Sequence, residues 1–257
     1  MDFIRVFNAY FSPSGTTKKI ASSISSVISD TVTAVDFLLS PPAETLSFGE
    51  NDVLVIGMPV FSGRIPQVCV PYIKNLNGNG SPAIAVVVYG NRAYDDSLLE
   101  LCDLLENQNF RVIGAAAFIG QHSFFNDVAA GRPDNSDFSK IIQFASVCSQ
   151  KLESFEGFSG HLNIKGNHPY KPAAYPHIRP KVSSNCTKCG LCAGICPVGA
   201  IDIKNIRKTD KNKCISCTAC IAVCPSGARA FKGFPFKIAN KVFIKKFSAR
   251  LEPEWFT

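Results

Sequence analysis

The sequence predicts an α/β protein built on a parallel five-stranded sheet, followed by a small second module of different character. Three observations lead there. Apolar runs rich in branched residues recur at about 3–10, 32–38, 52–58, 83–89 and 111–119, and alternate with helically spaced stretches at about 17–29, 66–76, 95–108 and 137–153. Eight of the 11 cysteines crowd into residues 186 to 224. Charge is split as well: residues 1–160 carry 10 Lys and Arg against 16 Asp and Glu, a net of −6, whereas residues 161–257 carry 17 against 4, a net of +13.

Strands alternating with helices form βαβ units, whose right-handed connections lay helices on both faces of a parallel sheet. The continuous apolarity of "VLVIG" and "AIAVVVYG" suits strands covered on both sides. In such open sheets ligands bind beyond the carboxyl ends of the strands. The loops beginning near residues 11, 58, 90 and 120 therefore converge on one site. A hydrophobic fraction of 46% and a charged fraction of 18% are ordinary for a folded domain. No basic region precedes a long apolar stretch at the start, and no run approaches the length needed to cross a bilayer, so a cytoplasmic protein with no transmembrane segment is expected.

The first of these loops, "FSPSGTTKKIA" (11–21), carries hydroxyls and a glycine where a strand feeds a helix. A helix starting near Thr17 presents amides without intrahelical partners and the positive end of its dipole. Ser12, Ser14, Thr16 and Thr17 add neutral donors, and Gly15 permits unusual dihedrals or close approach, which together suit a phosphate. A plain Ser/Thr N-cap is the alternative. "GMPVFSGRIP" (57–66) and "YGNRAYDD" (89–96) each follow a predicted strand and combine glycine, an aromatic residue and arginine. Phe61 and Tyr94 offer flat faces to a ring system.

The hydroxyl-x-hydroxyl-Gly-x-Thr pattern of Ser12 to Thr17, with the two later loops, resembles the flavodoxin family over about residues 1–155. The resemblance implies a flavodoxin-like doubly wound sheet of order 2-1-3-4-5 and bound FMN. Its phosphate would lie on Ser12, Ser14, Gly15, Thr16 and Thr17, and its ring among Pro59, Val60, Phe61, Gly63, Arg64, Gly90, Asn91, Arg92, Tyr94 and Asp96. Arg64 and Arg92 stand where short-chain flavodoxins place acidic residues. Either one near the ring would favour the reduced, negatively charged flavin; solvation, or pairing with Asp95 and Asp96, is the alternative.

"CTKCGLCAGICPVGAI" (186–201) and "CISCTACIAVCPSGAR" (214–229) are two copies of C-x2-C-x2-C-x3-C-P, and their likeness extends to a Gly-Ala beyond the proline. Thiolates at steps of three residues can wrap one face of a cube, and a fourth corner must come from elsewhere. Pro197 and Pro225 end each turn. CxxC pairs also make zinc sites, an alternative that two runs of four cysteines, each closed by proline, strongly disfavour. The spacing resembles bacterial-type dicluster ferredoxins over about residues 184–232, a small α+β domain in which the fourth cysteine serves the other cluster. That resemblance implies two [4Fe–4S] clusters, the first on Cys186, Cys189, Cys192 and Cys224, the second on Cys214, Cys217, Cys220 and Cys196. Cys69, Cys102 and Cys148 read as buried packing residues.

The connector 156–183 is rich in proline and has no helical period; it is expected to wrap along a surface, with His168 and His177 as polar contacts or, alternatively, proton carriers near the flavin. Beyond 232, the tail 233–257 has apolar residues at helical intervals beside lysines. Docking on the acidic first module is preferred over a partner protein or a membrane surface. Opposite charges on the halves predict a salt-sensitive attraction between them, and truncation after about Ser184 is expected to leave a folded flavin domain. The arrangement resembles the fusions of a flavodoxin-like domain to a C-terminal dicluster ferredoxin found in anaerobic microbes. It implies electron transfer between two clusters and FMN in one chain, with a redox protein or small molecule as donor or acceptor. A flavin-dependent reductase using NAD(P)H, a quinone or another small acceptor is the alternative; no G-x-G-x-x-G loop supports a dedicated nucleotide site. A nucleic-acid-binding redox sensor is disfavoured because the lysines are dispersed, and no nucleic-acid partner is expected.

Overall fold

The computed structural model describes residues 5–155, 160–176 and 178–257. The predicted start of the first strand at residue 3, the connector's opening residues 156–159 and His177 fall outside these.

Strand β1 (Arg5–Tyr10) pairs in parallel with β2 (Val32–Asp36) on one side and β4 (Asp52–Pro59) on the other. β6 (Pro82–Tyr89) and β7 (Arg111–Ile119) extend the sheet in the order β2-β1-β4-β6-β7, all parallel. Alternate residues of the apolar strands enter opposite cores, which is why the runs are unbroken. Val53 and Val55 pack with Ile20 and Ile24 of α1 (Thr16–Ile28) and Phe144 of α4 (Asn135–Glu153). Leu54 and Ile56 pack with Ile73 of α2 (Val70–Lys74) and Leu98 and Leu101 of α3 (Ser97–Glu106). A short parallel pair, β3 (Leu46–Ser47) with β5 (Leu76–Asn77), lies outside the main sheet and left no signal in the sequence. Cys69, Cys102 and Cys148 are buried, and burial raises each thiol above its ordinary range, Cys148 to about 12.

The described connector is fastened to the first module. Asp96 accepts from Asn167 N at 3.0 Å and Lys171 N at 2.7 Å, Asp103 takes His168 Nε2 at 2.7 Å and the Tyr170 hydroxyl, and Gln67 N donates to the Tyr175 hydroxyl at 3.1 Å. His168 is thus a polar contact. The cysteine module follows, with one short helix in each cysteine run, α5 (Leu191–Gly194) and α6 (Ala219–Ala222), and is closed by β8 (Lys181–Val182) against β9 (Arg229–Ala230). Its two halves repeat in backbone as well as in sequence. Lys188 and Ser216 have φ of 59° and 57°, Gly190 and Thr218 of 88° and 73°, and Gly199 and Gly227 of 56° and 58°. Three of these positive-φ residues are not glycine, so each half holds a left-handed kink that an isolated peptide would resist.

The tail docks on the first module but is not helical throughout. Helix α7 (Phe234–Phe247) is followed by β10 (Glu254–Phe256), which joins the main sheet antiparallel to β7 with Trp255 opposite Ala116. Asn91 Nδ2 donates to the carbonyls of Phe247 and Ala249, both at 2.8 Å, and buried Arg132, paired with Asp137, donates to Leu251 O at 2.7 Å. Truncation after Ser184 would therefore strip the edge strand from β7 and take from Asn91 and Arg132 the carbonyls to which they donate, although Arg132 would keep Asp137. Trp255, the single tryptophan, lies 6.3 Å from Phe144 between ring centroids. Deletion of residues 250–257 is expected to cost about 3 kcal/mol and lower the melting temperature by roughly 10 °C, measured by far-UV circular dichroism.

Candidate functional site

At the carboxyl end of β1 the chain turns through Gly15, whose φ of 87° and open surroundings show that the backbone, not crowding, requires glycine there. Ser12 Oγ accepts from Lys18 N at 2.9 Å, so this hydroxyl braces the loop from within. Ser14, Thr16 and Thr17 instead line a cavity of about 60 Å³ together with Pro59, Val60, Phe61 and Gly90. Its donors are neutral hydroxyls at the start of a 13-residue helix, a set suited to a phosphate.

This cavity adjoins a larger one of about 230 Å³ across Val60, Phe61, Tyr89, Gly90 and Ser123. The larger cavity is lined by Gly63 and Arg92 from the second and third loops, and by His122, Phe124 and Phe125 after β7. Pro176 and Ile178 of the connector, Ile215 and Ser216 of the cysteine module and Phe243 of α7 complete its wall. Polar hydroxyls at one end and aromatic rings at the other fit an FMN phosphate and ring, respectively.

Several expected ring contacts lie elsewhere. Arg64 is locked to Glu100 at 2.6 and 2.7 Å and donates to Lys171 O at 2.5 Å, so its charge is neutralised away from the cavity. The Asp96 carboxylate holds the connector, Asn91 holds the tail, and Tyr94 donates to Glu254 Oε2 at 2.5 Å beneath β10. These four side chains fasten the later parts of the chain over the strand ends. Arg92 stays at the cavity, paired with Asp95.

His122 was not singled out from the sequence, although "HSFF" follows the fifth strand and offered the signal. Its Nδ1 accepts from Phe124 N at 3.1 Å and Phe125 N at 3.3 Å, which assigns the proton of the neutral ring to Nε2. A Cβ on Gly90 would approach the His122 ring to 2.7 Å, so glycine is what admits the imidazole. Burial, with the Arg92 charge adding to it, pushes His122 down to about 4.

The eight clustered cysteines fall into two cavities. Cys186, Cys189, Cys192 and Cys224 line one, and Cys214, Cys217, Cys220 and Cys196 line the other, so each set takes its fourth thiol from the opposite run. Among the described residues no three His, Cys, Asp or Glu side chains converge as a single metal ion would require. Ala200 N donates to Cys196 Sγ at 3.3 Å. Burial raises the Cys224 thiol, but amides of Arg229, Ala228 and Ser226 and the Ser226 hydroxyl outweigh it and hold the group below its usual range. Such donors stabilise thiolate, the form a cluster needs.

Residues 185–228 match the family model described as a 4Fe-4S dicluster domain. The second module is a dicluster ferredoxin domain. The first is flavodoxin-like, since β2-β1-β4-β6-β7 is the flavodoxin-like order of a doubly wound sheet. No curated protein is matched by the sequence. Among solved structures, the chain is similar to oxidised flavodoxin 1 from Bacillus cereus at 18% identity, covering 60% of this chain and 99% of that one with a TM-score of 0.44. It is also similar to a flavodoxin from the Archaea at 13% identity, covering 58% and 99% with a TM-score of 0.41. The flavodoxin of Streptococcus pneumonia TIGR4 is similar at 17% identity, covering 57% and 98% with a TM-score of 0.40.

His122 takes a proton at about 4 when folded and near 6.5 when unfolded, so across that window the unfolded chain binds more protons. Stability therefore falls as pH drops from about 6.5 toward 4. Urea midpoints compared at neutral pH and near pH 4.5 should show His122→Gln losing about 2 kcal/mol less than the parent.

Proposed function

We propose that the protein carries electrons between FMN and two [4Fe–4S] clusters held in one polypeptide. One segment carries the reading. Cys217 and Thr218 line the hydroxyl-lined cavity, Ile215 and Ser216 line the aromatic one, and all four residues also line the cage of Cys214, Cys217, Cys220 and Cys196. A single stretch of backbone is thus the partition between the flavin cavity and one cluster cage. The other cage, on Cys186, Cys189, Cys192 and Cys224, shares no residue with either flavin cavity, and its Cys189 is exposed.

FMN exchanges electrons singly or in pairs, and each [4Fe–4S] cluster exchanges them singly. Ser14, Thr16, Thr17 and the α1 amides would hold the phosphate. Phe61, His122, Phe124 and Phe125 would surround the ring, with Nε2–H of His122 as a neutral donor. Pro176, Ile178 and Phe243 exclude water from the remaining side. The same roof obstructs a nicotinamide or quinone from stacking on the ring, which favours electron transfer through the partition over direct hydride transfer.

Two measurements test the reading. Cys196→Ala should lose about half of the bound iron and sulfide while retaining flavin, and the flavin should no longer be reduced through the remaining cluster. Anaerobic mixing with reduced ferredoxin should bleach clusters and flavin together, whereas NADH alone should act slowly. Rapid bleaching by NADH would instead support the reductase.

A further inference from the structure

Helix α7 carries two apolar stripes, and only one is covered. Phe236, Phe243 and Phe247 share the face turned to the first module, where Phe125 lies 5.5 Å from Phe236 and 4.4 Å from Phe243 between ring centroids, and His122 lies 4.8 Å from Phe243. Phe234, Ile238 and Val242 follow one another at four-residue steps on the other side of the helix. They are 76%, 49% and 59% exposed, and Phe234 is the most exposed large apolar side chain among the described residues.

The setting of this second stripe identifies what covers it. Lys237, Lys241, Lys245 and Lys246 are exposed around it, and none of them makes an ion pair among the described residues. Residues 211–251 contain no Asp or Glu at all. A second copy of the same face would bring eight lysines together without a counter-charge, which excludes self-association through it. None of the cavities described above is lined by Phe234, Ile238 or Val242, and the face presents these exposed apolar side chains flanked by lysines. A fluid anionic surface needs no matching shape: it accepts apolar side chains between its headgroups while lysines reach the phosphates.

We propose that the outer face of α7 docks the protein on an anionic lipid membrane. Insertion stops at the interface, because among the described residues no helix is long and apolar enough to cross a membrane. Three apolar residues bind weakly on their own, and each lysine near an anionic leaflet strengthens binding roughly fivefold. The acidic first module orients the contact, since an anionic surface repels it and attracts α7. The inference uses no cofactor and stands apart from the electron-transfer reading.

The test is sedimentation of the holoprotein with vesicles of phosphatidylcholine containing about one third phosphatidylglycerol, against vesicles of phosphatidylcholine alone. Binding to the mixed vesicles, release by salt, and little binding to the neutral ones are expected. The triple variant Lys237→Gln, Lys241→Gln, Lys245→Gln should bind about 100-fold more weakly, and Phe234→Ser with Val242→Ser should also weaken binding. Flavin absorbance and Trp255 fluorescence should be unchanged in both, which separates loss of the face from loss of the fold. No binding to the mixed vesicles, equal binding to both kinds, or variants that bind like the parent would each overturn the proposal. So would binding to polyglutamate by a protein that ignores vesicles, which would give the face to an acidic protein instead.

Discussion

Four residues between Cys214 and Ala219 set the terms for the rest of the molecule. Ile215 to Thr218 must curl around a cluster cage and at the same time close the space beyond the sheet, so their backbone has little freedom on either side. Ser216 takes a positive φ while buried, and its hydroxyl accepts from Arg179 Nη1 at 2.8 Å and donates to Ile178 O at 2.6 Å. Cys217 packs against the core of the flavodoxin-like domain. The connector fixes this segment from one side and α7 fills the space on the other.

Charge does less of this work than the opposite signs of the two halves suggest. Arg250 pairs with Asp134 and Asp137, and Lys171 with Asp95, but Lys140 with Glu252 runs the other way, and most of these groups are partly exposed. Exposed pairs contribute at most about 1 kcal/mol each. The less exposed contacts are Asn91 to two carbonyls, Arg132 to another, and a set of aromatic rings around Phe125. Hydrogen bonds to part-buried carbonyls and ring packing respond weakly to ionic strength, so the assembly is better described as packed than as electrostatically docked.

Much of this is legible in the sequence, for identifiable reasons. Five strands and four helices show as switches between continuous apolarity and helical spacing because both sheet faces are covered. The pairing of Cys224 with the first run and Cys196 with the second follows the dicluster pattern, and the cavities group the thiols in the same way. Other features had no local signal. β10 is three residues long, and its place beside β7 is decided by Asn91 and Arg132 more than one hundred residues earlier. Arg64, Asn91, Tyr94 and Asp96 sit in loops whose residue types suit a flavin contact, yet each side chain holds connector or tail. A loop's composition says which atoms are on offer; which of them another segment takes is settled only when that segment arrives.

The antiparallel edge strand has a bearing on how the molecule is made. Its partner, Ala115 to Ala117, leaves the ribosome well over one hundred residues before Glu254 does, and until then β7 is an open edge with an unpaired backbone. The N-terminal sheet thus waits for translation of both cysteine runs before it closes, and a chain interrupted anywhere in between is born with a sticky flank.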